Sequence, residues 1–446
     1  MKKFALTLGL LIVACLLLSA AVNDSEFEKN WHQWRGPYMT GLSPNGNPPL
    51  EWSESQNVKW KIQVLGKGHA TPIIWGNQIF IQTAIPLEKE APPPEKKEGE
   101  QGGRRGMPSR KTTAKHSFVI LSINKDDGKI LWQKTLKEEI PEEATHDLGS
   151  WASNSPITDG EFVYAYFGSR GLFCLDLQGN LKWERDFGQM SKHMEFGEGS
   201  SPTMYGDNVI VQWDHNGDSF LYILDKKTGK DIHKIPRDEK TSWATPHVAV
   251  VEGRPQVITL ATSRMRSYDL ATGDLIWECS GMTSNVIPIP LVQDGILYAA
   301  SGFRGNALMA IKLAGAKGDI SNTEAVLWKY DGKETPYTPS GLLYGDKLYL
   351  LRSNNGILGC FDIKTGEPIY SGQRLEGMGN IFTSPVGAQG RVYILGQKGT
   401  TFVVQHGPDF KILAKNTLED SFHSSPVILG NRIYLRGFES LYCIEE

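Results

Sequence analysis

Apolar residues in this chain come in short runs separated by turn residues, and the stretch from Ser155 to Trp183 shows the unit most plainly. Ser155-Pro156-Ile157 opens it. Phe162 to Tyr166 follows the Asp159-Gly160 turn, Leu172 to Asp176 follows Arg170-Gly171, and Leu181 to Trp183 follows Gly179-Asn180. Short β-rich runs between Gly-containing turns predict consecutive antiparallel strands. A sheet of four such strands, apolar on both faces, needs a neighbour on each side.

The chain supplies those neighbours by repetition. A small residue followed by Pro, or a degenerate version, recurs at Pro72, Pro156, Pro202, Pro246, Pro290, Gly341, Pro385 and Pro426, at intervals of 84, 46, 44, 44, 51, 44 and 41 residues. A period in the mid-forties with four strands per unit predicts propeller blades. Unit ends agree: Asp225 to Gly229, Asp269 to Gly273 and Asp362 to Gly366 share a D-x-x-T-G turn, which leads to an outer strand carrying Trp132, Trp183, Trp277 or Trp328. Such rings are expected to fill space between sheets. Two intervals are long for visible reasons. Residues 86–116 are a Pro/Glu/Lys/Gly tract expected to be a disordered loop between the second and third strands of the first blade. Residues 314–325 form an extra loop before Trp328. The eighth unit stops after Ile444 without an outer strand, and the run Val58 to Val64, with Trp60, is left over near the other terminus. The expected fold is therefore all-β: an eight-bladed propeller of four-stranded antiparallel blades, closed by an N-terminal strand that completes the last blade. Closure removes sheet edges that would otherwise aggregate.

Residues 1–21 read as a secretory signal, with Lys2 and Lys3 ahead of an apolar stretch and small residues at Ser19 to Ala21. Ile12 to Cys15 also reads as a lipobox, with Cys15 as the alternative lipid attachment point. Residues 22–57, rich in Trp, Pro and Gly, are expected to form a strap on the surface of the body, and 58–446 the single propeller. Export permits disulfides. Cys174, Cys360 and Cys443, however, fall in the same slot of three non-adjacent units, beyond bonding distance of one another, so buried free thiols are expected. The formal net charge of −3 argues against a nucleic-acid partner.

The A-x-D-x-x-T-G-x-x-x-W type repeat with Ser/Thr-Pro openings resembles the pyrroloquinoline-quinone-like (PQQ-like) propeller repeat. The resemblance covers nearly the whole chain after residue 21. It is closest to exported planctomycete-type repeat proteins, on the strength of Trp31 to Pro37, Trp213 to Phe220 and Ser242 to Pro246. More distantly it is similar to the outer-membrane barrel-assembly lipoprotein propeller. The repeat builds both quinoprotein dehydrogenases and scaffolds, so it implies the fold more firmly than an activity.

Residues just before each Pro slot are expected to ring one mouth of the channel. Three positions ahead of the slots stand His69, Ser153, Gly199, Trp243, Ile287, Thr338, Phe382 and His423, which brings His69 and His423 together once the ring closes. Neighbouring loops add His146, Asp147, Trp151, Asn154, Glu198, Asn285 and Asn380, and Arg304 stands near a strand connection. Together with the two histidines and Trp243, all of these except Asp147 make the ligand-pocket candidates. No catalytic residue and no metal ligand is assigned. Asp214 to Asp218 imitates half a calcium loop, but Asn216-Gly217 makes it a hairpin turn. The expected function is an exported, non-enzymatic scaffold in the periplasm or at the outer membrane, monomeric, with no cofactor. It would bind envelope proteins or a small-molecule or carbohydrate ligand and touch the membrane only through the signal or a lipid. The runner-up is a quinoprotein dehydrogenase of alcohols or sugars, which the resemblance would equip with PQQ and calcium. Against it, no two cysteines lie close in sequence and no C-x-x-C-H haem site is present. A third reading is sugar stacking on Trp151 and Trp243.

Overall fold

The computed structural model describes residues 26–88 and 109–446. The predicted signal and lipobox lie outside the described residues, as does 89–108 of the predicted disordered loop. Eight antiparallel sheets, each with four strands from the repeat, follow one another around a ring. In the unit read first, the strands are Ile157–Thr158, Phe162–Tyr166, Leu172–Asp176 and Leu181–Arg185, hydrogen-bonded in that order. The last blade takes three strands from the C-terminus and its outer strand, Val58–Gln63, from the other end of the sequence, with Trp60 opposite Cys443 and Ile62 opposite Leu441.

The two sequence signatures turn out to be the joints between blades. In the Ser/Thr-Pro slot, the hydroxyl of one blade accepts the backbone N–H of the preceding blade: Thr71 N–H donates to Ser155 (2.9 Å), Ser155 to Ser201 (2.8 Å) and Ser201 to Thr245 (2.9 Å). The belt resumes from Ile289 to Ser340, Ser384 and Ser425, and Ser425 donates to Thr71 at 3.2 Å, closing the ring. Its single gap is at Ile289, which has no hydroxyl to offer Thr245. At the rim, the outer-strand Trp132, Trp183 and Trp328 reach the turn of the next blade, while Trp277 does not. Trp132 and Trp183 donate to the carbonyls of Leu177 and Lys226, at 2.9 and 3.0 Å, and lie over Gly179 and Gly229. Trp60 does the same to blade 1 through Lys125 and Gly128, so the N-terminal strand acts as a full outer strand. The extra loop before Trp328 lays Gly318–Asp319 parallel to the outer strand of blade 4 and covers that edge beside Trp277.

All four cysteines in the described residues are buried free thiols. Part of 86–116 is ordered: Pro86 and His116 close the long hairpin of blade 1, and Ser109–Arg110 pairs with Thr145–His146. The described part of the strap keeps Glu26, Lys29, Tyr38 and Pro44 exposed but anchors itself with buried side chains. Trp31 and Arg35 are each only 1 % exposed. The segment crosses one end of the channel and ties blades together by main-chain bonds. Ile74 N–H donates to the Trp31 carbonyl, Thr158 to His32, Leu343 to Thr40 and Gly387 to Gly41, at 2.8 to 3.2 Å. Arg35 donates to the carbonyls of Gly341 and Pro385, both at 2.8 Å, which joins blades 6 and 7. Gly41 is obligatory beside it: its φ is +84° and a Cβ would lie 2.0 Å from the guanidinium. Of the strap's aromatic residues, Trp31 packs into the core between blades 1, 7 and 8, and Tyr38 stays exposed.

Candidate functional site at the channel mouth

At the end opposite the strap the channel opens into a cavity of about 520 Å³. All eight residues three positions ahead of the slots line it: His69, Ser153, Gly199, Trp243, Ile287, Thr338, Phe382 and His423. Trp34, carried in by the strap, lines it too, with Phe196, Phe303 and Tyr337 adding further aromatic wall. Phe303 and Tyr337 stack at 4.9 Å.

Ring closure brings the two histidines of blades 1 and 8 to a centroid distance of 4.6 Å, edge to face. Phe438 stacks on His69 at 4.9 Å and Phe382 packs on His423 at 4.5 Å. Burial drives both imidazoles neutral. His69 lies well below the ordinary histidine value, through burial first, then the competing protonation of His423 and the charges of Arg436 and Lys67. Burial lowers His423 to about 4, the Leu148 carbonyl beside it acting the other way. The Nε2 atoms of both rings are buried and have no protein hydrogen-bond partner. Such atoms lose roughly 1–3 kcal/mol each unless something meets them.

The polar remainder is already engaged. Glu198, the single carboxylate on the wall, accepts from the Ser169 N–H at 2.7 Å, from the Ser169 hydroxyl at 2.5 Å and from Arg170 at 3.3 Å. His146 accepts the Leu148 N–H at 3.1 Å and packs on Phe196. Trp243 donates to the Gly197 carbonyl at 2.7 Å and stays 9 % exposed, with the buried Lys192 ammonium 5.7 Å from its ring. Lys192 is lowered to about 8 by burial and donates to the carbonyls of Asp214 and Ser242. Arg304 stands at the lip, exposed, its guanidinium 5.3 Å from the Phe303 ring.

Of the sequence candidates, His69, His146, Glu198, Trp243, Arg304 and His423 line the cavity, and Trp151, Asn154, Asn285 and Asn380 do not. Trp151 packs on His116 at 4.8 Å and donates to the Glu143 carbonyl. Asn154 is buried and donates to the Ser200 carbonyl at 2.6 Å, a tie between blades 2 and 3. Asn285 is buried in a left-handed turn, and Asn380 pairs with Asn355 on an exposed edge. Trp34 was missed as a site residue, although the repeated Trp at positions 31 and 34 was its one signal. Asp214 holds no calcium-loop geometry: it is fully buried against Arg237 at 2.8 Å.

Two family-model segments, residues 116–371 and 280–445, match the model described as "Outer membrane protein assembly factor BamB", and the chain belongs to this PQQ-like propeller family. No curated protein matches it. Among solved structures it is similar to BamB from Moraxella catarrhalis, at 16 % identity and TM-score 0.54, over 82 % of this chain and 98 % of that one. It is also similar to quinohemoprotein alcohol dehydrogenase ADHIIG from Pseudomonas putida HK5, at 11 % identity and TM-score 0.57, over 95 % and 81 %. The Comamonas testosteroni quinohemoprotein alcohol dehydrogenase gives 9 % identity and TM-score 0.58, over 93 % and 80 %. These structural likenesses establish the fold alone.

Proposed function

We propose that this propeller is a non-catalytic binding protein of the bacterial envelope that receives an apolar or aromatic group, from a partner protein or a small ligand, in the mouth cavity. The observation that carries the reading is the His69–His423 pair: two neutral imidazoles with unpartnered Nε2 atoms in an aromatic-walled cavity. An entering hydroxyl, amide or carboxyl would satisfy them. The family's description as an assembly factor of the outer membrane supports an envelope setting and a protein partner.

The enzyme reading fits the residues poorly. Calcium takes six to eight oxygen ligands, usually several of them carboxylates. The one carboxylate here is bonded to Ser169 and Arg170. Among the described residues no cluster of three or more His, Cys, Asp or Glu could hold a metal. The cavity therefore does not offer a calcium–quinone donor set, and no chemical step is derived through that cofactor. Sugar stacking fits no better, since Trp151 packs away from the cavity and Trp243 shows little of its ring.

A photo-crosslinking phenylalanine analogue at position 382, activated in cells, tests the proposal. A discrete adduct that disappears in His69→Phe/His423→Phe is expected. Dye-linked oxidation of alcohols or sugars after loading with PQQ and calcium would overturn it, and so would the absence of any adduct.

A further inference from the structure

The end of the channel that the strap crosses is only partly closed, and the repeat says where. In each blade the residue two positions after the slot directs its backbone N–H at the axis. Four of these residues, Ile74, Thr158, Leu343 and Gly387, donate to strap carbonyls. In blade 8 the strap bonds one step further on, Asn47 N–H donating to the Gly430 carbonyl. The equivalents in blades 3, 4 and 5 are Met204, Val248 and Val292. None of these three donates to the strap, and all three line a cleft of about 1090 Å³ bounded by the crossing segment. Their strands, Thr203–Tyr205, His247–Val251 and Leu291–Gln293, are terminal strands of their sheets and present open edges to that cleft.

The walls define what fits there. Five carboxylates line the cleft, Glu26, Glu28, Asp159, Asp207 and Asp294, against one cation, Lys226. That lysine is already shared between Asp159 at 3.1 Å and Asp207 at 3.3 Å. His32 and His247, 6 % and 8 % exposed, also line it, and burial lowers both to about 4, so they add no positive charge. The Nδ1 atom of each is buried without a partner. Tyr38 and Tyr205 present partly exposed rings at the rim.

We propose that this cleft binds an extended basic segment of another protein, which continues the strap's own main-chain pairing around blades 3, 4 and 5. Its carbonyls take the N–H groups of Met204, Val248 and Val292, and its own N–H groups donate to the carbonyls of those edge strands, as Trp31 and Ile74 exchange both bonds. Its lysines or arginines face the acidic rim. Strand addition of this kind draws affinity from main-chain bonds and specificity from alternate side chains. The site is separate from the mouth, so it stands or falls independently of the cavity reading.

The test uses a fluorescein-labelled nonapeptide of alternating lysine and threonine, titrated by anisotropy into the full chain. Saturable binding is expected, with none for the glutamate–threonine counterpart. Asp207→Lys/Asp294→Asn, both at exposed rim positions, should weaken binding about tenfold at low salt. N-methylation of alternate peptide amides should also weaken it about tenfold, since each methyl group blocks a main-chain bond. Equal binding of the acidic peptide, or affinity unmoved by N-methylation, would overturn the proposal. Failure to saturate would do the same.

Discussion

The two ends of the channel are built from the same eight repeats and close in opposite ways. At the strap end, backbone groups meet backbone groups, and the side chains that matter, Trp31 and Arg35, are swallowed whole. At the mouth, no segment of the described residues crosses, and eight equivalent positions carry eight different neighbourhoods around one cavity. The difference teaches where a repeat protein stores its two kinds of information. Main-chain geometry is common to all blades, so one strap can use it at several of them. Recognition needs inequality among blades, and that resides in side chains at a single level of the ring.

The hardest blow to this division is Trp31→Ala. Trp31 is a fully buried ring in the core shared by blades 1, 7 and 8, and it pairs in both directions with Ile74. Removing such a ring should cost about 4 kcal/mol. Guanidinium unfolding should therefore show a large fall in midpoint. A loss below about 1 kcal/mol, on the same scale, would mean the strap is only draped over the end. Acid tests both ends together. His423, His32 and His247 are each lowered by burial to about 4 from an unfolded value of 6.5. The unfolded chain binds protons there that the folded chain refuses, so the contribution of these three groups is flat above about pH 6.5 and falls between pH 6.5 and 4. The slope approaches about 1.4 kcal/mol per pH unit for each group. His423→Phe should remove one group's share of that slope and leave the strap end's share in place. Urea midpoints across that range decide it.

The hydroxyl belt between the two ends gives a smaller effect. Thr71→Val keeps the shape but leaves the Ser425 N–H buried without its 3.2 Å acceptor. A loss of about 2 kcal/mol in chemical denaturation is expected. A change near zero would show that the seam tolerates a second gap as it already tolerates Ile289.

How far all this could be read in advance follows the repeat's phase. Positions three ahead of the slots were predicted to ring the mouth, and all eight line the cavity. Asn154 lies one residue nearer its slot, and in an extended chain the next residue points the other way, here into the seam toward Ser200. Trp151, Asn285 and Asn380 each stand five ahead of a slot, back in the connecting loops, where periodicity no longer fixes direction. Trp34 and the strap's path belong to no repeat. Their partners, Gly341, Gly387 and Gly430, are hundreds of residues away, so no local pattern announces the pairing. The closing strand was legible for the opposite reason: an outer strand was missing at one end of the chain and a surplus strand with Trp60 stood at the other.

The smallest effect, and the one that most sharpens the contrast, is at Arg304. This residue holds a left-handed backbone with φ of 54°, where glycine is favoured and a long side chain is strained. It is exposed and lines the mouth, so packing does not explain its presence. Arg304→Gly should relieve the strain and leave stability unchanged or raised by up to about 1 kcal/mol, the loss of backbone freedom in the unfolded chain limiting the gain. If the mouth is the recognising end, the same change should weaken capture at position 382 while the folded state gains. The strap end holds a left-handed arginine too: Arg35, with φ of 72°, is buried and bonded to the Gly341 and Pro385 carbonyls. Arg35 is held in its conformation by bonds inside the protein, whereas Arg304 has no such anchor among the described residues, so a ligand at the mouth is what its retention would serve. An Arg304→Gly protein that gains stability and crosslinks as well as the parent would remove Arg304 from the recognising set.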